Sequence, residues 1–179
     1  MAKKKNKKRK DPYLLSLYGK VEEEDCADVI HALYAQKLAC DKGLRKPKPV
    51  KLVVSTHGGD AVEMFSLYDM IKHVQKTYPV HTIGMGKIMS AGTLLLACGT
   101  KGKRKIGANC RVMIHNSECY SVLKHEIKEI EWFQERYIEC LTKETFLSES
   151  ELREIMDSRK NIYLNAEETI KCGLADKII

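Results

Sequence analysis

Between Asp25 and Cys40, apolar residues fall at Cys26, Val29, Ile30 and Leu33, the three- and four-residue spacing of one helical face. The segment Lys42-Gly43-Leu44-Arg45-Lys46-Pro47-Lys48-Pro49 interrupts that pattern with two prolines and charge, and reads as a loop. Lys51-Leu52-Val53-Val54 then supplies the β-branched apolar run of a buried strand, which leads into a turn at Gly58-Gly59. Asp60 stands where a helix cap belongs, with Glu63 three residues on as a capping-box partner. Behind it Met64, Leu67, Ile71 and Val74 form a core stripe. Val80 to Met85 reads as the next strand, Ser90 to Cys98 as a helix, and Arg111 to Ile114 as strand again. Apolar strands alternating with helices predict an α/β fold with a mostly parallel sheet covered by helices. A long helix is expected from Ser121 to Thr145, with Leu123, Ile127, Ile130, Tyr137 and Leu141 on one side and Trp132 off the stripe. Asn165 with Glu168 caps a short helix ending at Gly173, and Asp176 to Ile179 forms a terminal strand.

Composition changes this picture in only a few places. The 179 residues suffice for one domain with a substantial core, and 44% hydrophobic with 31% charged residues describes an ordinary globular chain. The longest stretch without charge, Ile88 to Thr100, is 13 residues, too short for a membrane span. No apolar segment follows the basic N-terminus, so no secretory signal is expected. The seven cysteines lack any C-x-x-C pair, and most sit in apolar stretches. They are expected to be free thiols in a reducing, cytoplasmic compartment, with no metal or other cofactor. The net charge of +7 is concentrated in residues 1–10, which hold seven Lys/Arg and no acid. The expected organisation is a basic, disordered leader over residues 1–11 and one domain over residues 12–179. Such a leader is either a flexible solubilising tail or a contact for an acidic or nucleic-acid partner through residues 2–10.

The candidate chemistry is carried by a few residues. Thr82-Ile83-Gly84-Met85-Gly86-Lys87-Ile88-Met89-Ser90-Ala91-Gly92-Thr93 places one hydroxyl between glycines at a strand-to-helix turn. That position exposes Oγ as a nucleophile, with the helix N-terminus favouring developing negative charge. The competing role for Ser90 is a plain helix cap. The spacing is not the hydrolase elbow G-x-S-x-G, since Ile88 and Met89 precede the serine. A base is offered by His115, closing the strand Arg111-Val112-Met113-Ile114-His115, and also by His57 beside the glycine turn. That turn, Ser55-Thr56-His57-Gly58-Gly59, offers backbone N–H groups to an oxyanion.

The order of these pieces resembles the proteolytic subunit of the Clp protease family, serine peptidases of the ClpP/crotonase-like fold. The resemblance runs from about Tyr13 to Ile179. It rests on Met85-Gly86, Met89-Ser90-Ala91-Gly92, Gly99-Thr100-Lys101-Gly102-Lys103-Arg104, Arg111 to His115, and Tyr163-Leu164-Asn165-Ala166-Glu167-Glu168 through Gly173-Leu174-Ala175-Asp176. It implies stacked, mostly parallel β-sheets covered by helices, with the long helix as a handle that interleaves with its mate from an opposing ring. Trp132 then has either an interface role or partial burial within the chain.

The resemblance makes Ser90 the nucleophile, His115 the base, and the backbone N–H groups of Gly59 and Ala91 the oxyanion donors. It places the third catalytic residue at Asn161, where most relatives carry aspartate. An asparagine oxygen can still orient the His115 ring but brings no charge to the imidazolium. In chymotrypsin-type enzymes that exchange costs about ten-thousandfold in kcat, whereas papain-like enzymes work with asparagine. Relatives also carry proline where His57 stands, and a proline with a glycine-rich strand where this chain has Asn116-Ser117-Glu118-Cys119-Tyr120-Ser121. Ser117, Glu118 and Cys119 are the candidate substrate contacts.

The activity implied is that of a serine endopeptidase acting on peptides and unfolded proteins through an acyl-enzyme, inside a tetradecamer of two stacked heptameric rings. A separate AAA+ unfoldase would supply ATP hydrolysis, since no G-x-x-x-x-G-K-[ST] occurs here. A viral capsid-maturation role belongs to the same class. The alternative is a catalytically weak or inactive ring-forming structural subunit, which Asn161 and the altered segment after His115 favour. Crotonase-type acyl-CoA chemistry fits less well, because the matching motifs are those of the peptidases.

Overall fold

The computed structural model of the chain describes residues 11, 13–116 and 124–179. In chain order the elements are β1 (Leu14–Val21), α1 (Glu23–Asp41), β2 (Val50–Gly59), α2 (Ala61–Val74), β3 (Val80–Met89), α3 (Ala91–Ala97), β4 (Lys105–Ile106), β5 (Arg111–Ile114), α4 (Lys124–Glu144), α5 (Glu149–Asp157), β6 (Ile162–Leu164), α6 (Ala166–Lys171) and β7 (Lys177–Ile178). One path of pairing runs β1-β2-β3-β4-β7, and a second branches from β3 through β5 to β6. Among the described residues every ladder is parallel except β5–β6. Parallel pairing requires crossovers, and α1 and α2 supply them for the first three strands. This is the α/β architecture that the apolar strands lead one to expect.

Alternation explains how the sheet meets its core. Along β2 the even-numbered residues Val50, Leu52, Val54, Thr56 and Gly58 are buried, and the odd-numbered ones face outward. The stripe Met64, Leu67, Ile71 and Val74 of α2 is buried as its spacing requires. All seven residues of α3 are buried, with Leu94, Leu95 and Leu96 fully enclosed. A helix apolar all round belongs inside a protein, and α3 packs against both β2 and β3.

Several expectations change in the folded chain. The strand expected over Val80–Met85 continues to Met89: its pairing with β2 shifts register after Val54↔Gly84, and Gly86 takes φ +67°. The glycines read as a turn therefore form a kink, and the far leg of β3, Lys87–Met89, turns to pair with β5. The second glycine turn likewise lies within the end of β2. Asp60 accepts hydrogen bonds from the Val62 and Glu63 amides, yet Glu63 does not return the bond that would complete the box. Asn165 and Glu168 do make the reciprocal pair. Four elements have no counterpart in the sequence reading. β4 and β6 are two and three residues long, too short for alternation to register. β1 is an edge strand whose Leu14 and Tyr18 remain exposed, and α5 buries only Leu152 and Met156. The helix expected from Ser121 is described from Lys124 onward, with Tyr137 and Leu141 buried.

Candidate active site

Ser90 sits between β3 and α3 with φ 54° and ψ −123°, the dihedrals of the first central residue of a type II′ turn, a backbone conformation normally taken by glycine. A side chain held there costs on the order of 1–3 kcal/mol, a strain that clusters at functional sites. Its hydroxyl makes no capping bond to the helix, so the plain-cap role is not the one it plays. Instead Oγ lies 2.8 Å from Nε2 of His115.

Strand register brings the two together. The far leg of β3 pairs Lys87↔Arg111, Ile88↔Val112 and Met89↔Met113, and the Ser90 amide donates to the Met113 carbonyl at 2.8 Å. Along β5, Val112 and Ile114 face the core. By the period of two, Met113 and the following His115 turn the other way, into the cavity beside Ser90. Close approach from β2 completes the turn's surroundings. A Cβ on Gly58, which has φ +95°, would stand 2.6 Å from the Ser90 Cβ. One on Gly92 would stand 2.4 Å from Cγ2 of Thr56. Glycine is what lets β2 and α3 flank the serine this tightly.

The cavity measures about 450 Å³, and Gly59, Ala91, Ser90 and His115 all line it. Its apolar wall comes from Met64, Met113, Ile130, Phe133 and Tyr137. His57, the rival base, also lines it from the exposed face of β2. Of the two histidines, His115 is the one hydrogen-bonded to Ser90 among the described residues.

Asn161 stands apart from this pair. It precedes β6, whose antiparallel ladder runs Val112↔Leu164, Met113↔Tyr163 and Ile114↔Ile162. One further step along that register sets Asn161 opposite His115. Its side chain is exposed, and among the described residues no hydrogen bond joins it to the histidine. Ser117, Glu118 and Cys119 lie outside the described residues, as does the basic segment 2–10.

The sequence reading treats Thr93 and Tyr137 as helix residues without a site role, yet both meet the serine turn. Thr93 Oγ1 donates to the Ser90 carbonyl at 2.7 Å, and the Tyr137 hydroxyl reaches the same oxygen at 3.3 Å. The available signal was a tyrosine on an otherwise apolar stripe, since a buried phenol needs a polar partner. Trp132 keeps 54% of its surface exposed and meets Phe133 edge-on at 5.1 Å.

Comparison with known proteins bears on the family of the chain as a whole. The family model described as Clp protease matches residues 11–179. The ATP-dependent Clp protease proteolytic subunit 2 of Treponema denticola is 27% identical over 98% of this chain and 90% of its own length. Proteolytic subunit 2 of Prochlorococcus marinus is 32% identical over 84% of this chain and 75% of its own. Among solved structures, the ClpP protease catalytic domain from Plasmodium falciparum superposes with a TM-score of 0.78 at 23% identity, covering 93% of this chain and 84% of that one. With a family match spanning every described element and relatives of this kind along nearly the whole length, the chain belongs to the Clp protease family.

Proposed function

We propose that the chain is a serine endopeptidase that cleaves peptides and unfolded proteins through an acyl-enzyme. The observation that carries this reading is the 2.8 Å approach of Ser90 Oγ to His115 Nε2 inside a cavity that Gly59 and Ala91 also line. In the forward step Ser90 Oγ attacks the scissile carbonyl carbon as its proton passes to His115 Nε2. The carbonyl oxygen becomes an oxyanion, for which the Gly59 and Ala91 amides are the donors. His115 then gives its proton to the departing amine, and water repeats the sequence on the ester to release the acid. Asn161, opposite His115 in register, is the residue that would orient the imidazole by accepting from Nδ1. The apolar wall of the cavity suits an uncharged side chain next to the scissile bond.

The names of the relatives, proteolytic subunits of ATP-dependent proteases, support assembly with a separate ATP-hydrolysing unfoldase. The oligomer this reading implies is two stacked heptameric rings of this chain, working in the cytoplasm. A fluorophosphonate probe tests the chemistry. It should label the assembled protein at Ser90, Ser90→Ala should abolish labelling, and His115→Ala should slow peptide turnover by at least a thousandfold. Unlabelled Ser90 in a sample where an active relative reacts would refute the proposal.

One observation favours a second reading, a ring-forming subunit with weak or no catalysis: Asn161 is exposed and unconnected to His115 among the described residues. Asn161→Asp separates the two. A rise in turnover would mean that the histidine draws on position 161, whereas no change from a negligible baseline would favour the structural subunit.

A further inference from the structure

The carbonyl of Ser90 is held from three directions. The Thr93 amide donates to it at 2.9 Å, the Thr93 hydroxyl at 2.7 Å, and the Tyr137 hydroxyl reaches it at 3.3 Å. The two hydroxyls also bond to each other. Each has one proton. Because Thr93 spends its own on the carbonyl, the phenol's proton serves the Thr93 oxygen and, more distantly, the carbonyl. A chain of donation therefore runs from α4 to the residue whose backbone is strained. Thr93 is fully buried, and Tyr137 nearly so. Burial pushes the Tyr137 hydroxyl up to about 12, against a smaller lowering by Thr93, so it remains a donor across the neutral range.

This arrangement answers a physical requirement. A serine at φ 54° relaxes toward negative φ unless its neighbours over-determine the turn. Rotating either peptide plane of Ser90 would break the amide bond to Met113 on one side or the carbonyl bonds on the other. The first anchor ties the nucleophile to the strand that carries His115. The second ties it to α3 and, through a phenol, to α4. Neither hydroxyl hydrogen-bonds to Ser90 Oγ or to His115, so neither takes part in proton transfer.

We propose that Thr93 and Tyr137 are positioning residues, a hydroxyl pair that holds the Ser90 carbonyl and so keeps Oγ aimed at His115. The inference rests on the peptidase reading of this site. Thr93→Val removes one hydroxyl at nearly constant volume, and Thr93 does not line the cavity. It should lower kcat for a short peptide about fivefold, the worth of one net hydrogen bond, with KM unchanged. Tyr137→Phe should fall by a similar factor. The double variant should lose less than the product of the two, because they share one network. Thr93→Ser keeps the hydroxyl and should recover most of the rate. A role in packing alone predicts the opposite for that variant, since serine leaves a methyl-sized gap and valine does not. A second measurement works whether or not the protein is active: hydrogen exchange at the Ser90 amide, which should quicken in Thr93→Val and Tyr137→Phe while amides in β1 and α1 keep their rates. If unsubstituted protein fails to react with fluorophosphonate, the peptidase reading falls and exchange alone decides the hydroxyl pair. If it reacts, and Thr93→Val matches its kcat and Ser90 exchange, the pair has no positioning role and the peptidase reading stands.

Discussion

At Ser90 the residue type supplies a hydroxyl, but neighbouring glycines supply the room for it. Gly58 combines φ +95° with a Cβ position 2.6 Å from that of Ser90. Gly43 has φ +67° with nothing within 4 Å. Gly43→Ala should therefore cost only the about 1–2 kcal/mol of a left-handed alanine in open space. Gly58→Ala should cost more and abolish fluorophosphonate labelling, because the added methyl displaces the serine itself. Urea melts of both variants check the difference, and equal losses with labelling intact would disprove it. Ser90, His115, Gly59 and Ala91 can all be named from the sequence, since each belongs to a compact motif. Thr93 and Tyr137 cannot, because a hydroxyl's partner depends on which elements pack together.

At the level of elements, α3 has to lie unusually close to β2, and Gly92 is where they meet. Intrinsic propensity favours alanine over glycine in a helix by about 1 kcal/mol. Gly92→Ala should nevertheless destabilise the protein and slow labelling of Ser90, because its Cβ would come 2.4 Å from Cγ2 of Thr56. Thr56→Ser removes that methyl while keeping the hydroxyl that bonds the Gly19 carbonyl and the Gly58 amide. Added to Gly92→Ala, it should restore most of the loss in thermal melts. Failure of the second substitution to rescue the first would show that the contact is not what glycine relieves. The kink in β3 belongs to the same scale. Gly86 falls beyond the strand expected over Val80–Met85, and becomes a bend within one strand because β2 runs beside both legs while β4 pairs with the first and β5 with the second.

Across the whole molecule, Arg104 gathers the ends of several elements. Its side chain is 2% exposed, donates to the carbonyls of Ala97 and Glu144 at the ends of α3 and α4, and grips Asp176 with Nε and Nη2 at 3.0 and 2.6 Å. Burial alone would raise the Asp176 carboxyl, but hydrogen bonds and charge from Arg104 outweigh it and hold it below the usual carboxylate range. A carboxylate depressed in the fold gives its full stabilisation above the unfolded value near 4, and loses it as pH falls through the folded value. Asp176→Asn should destabilise the chain at neutral pH by on the order of 3 kcal/mol, since a buried guanidinium loses its counter-charge. Its melting temperature should also fall less steeply than that of the unsubstituted chain on acidification below pH ~4. Parallel acid limbs for the two proteins would contradict this role for Asp176.

The sequence by itself determined several features that act over a few residues or repeat along one element: the α/β alternation, the buried stripe of α2, the Asn165–Glu168 cap and the motifs that mark the Clp protease family. Those features follow from side-chain periodicity and local hydrogen bonding, which a linear reading captures. Tertiary structure decided what depends on pairing between distant segments. Register between β3 and β5 set the Ser90 hydroxyl within hydrogen-bonding distance of His115, and the packing of α4 carried a phenol to the serine's carbonyl. It also left Asn161 opposite the histidine without a bond between them among the described residues. Strand register, helix packing and the reach of a side chain are set by the sum of many weak contacts, so no short stretch of the chain encodes them.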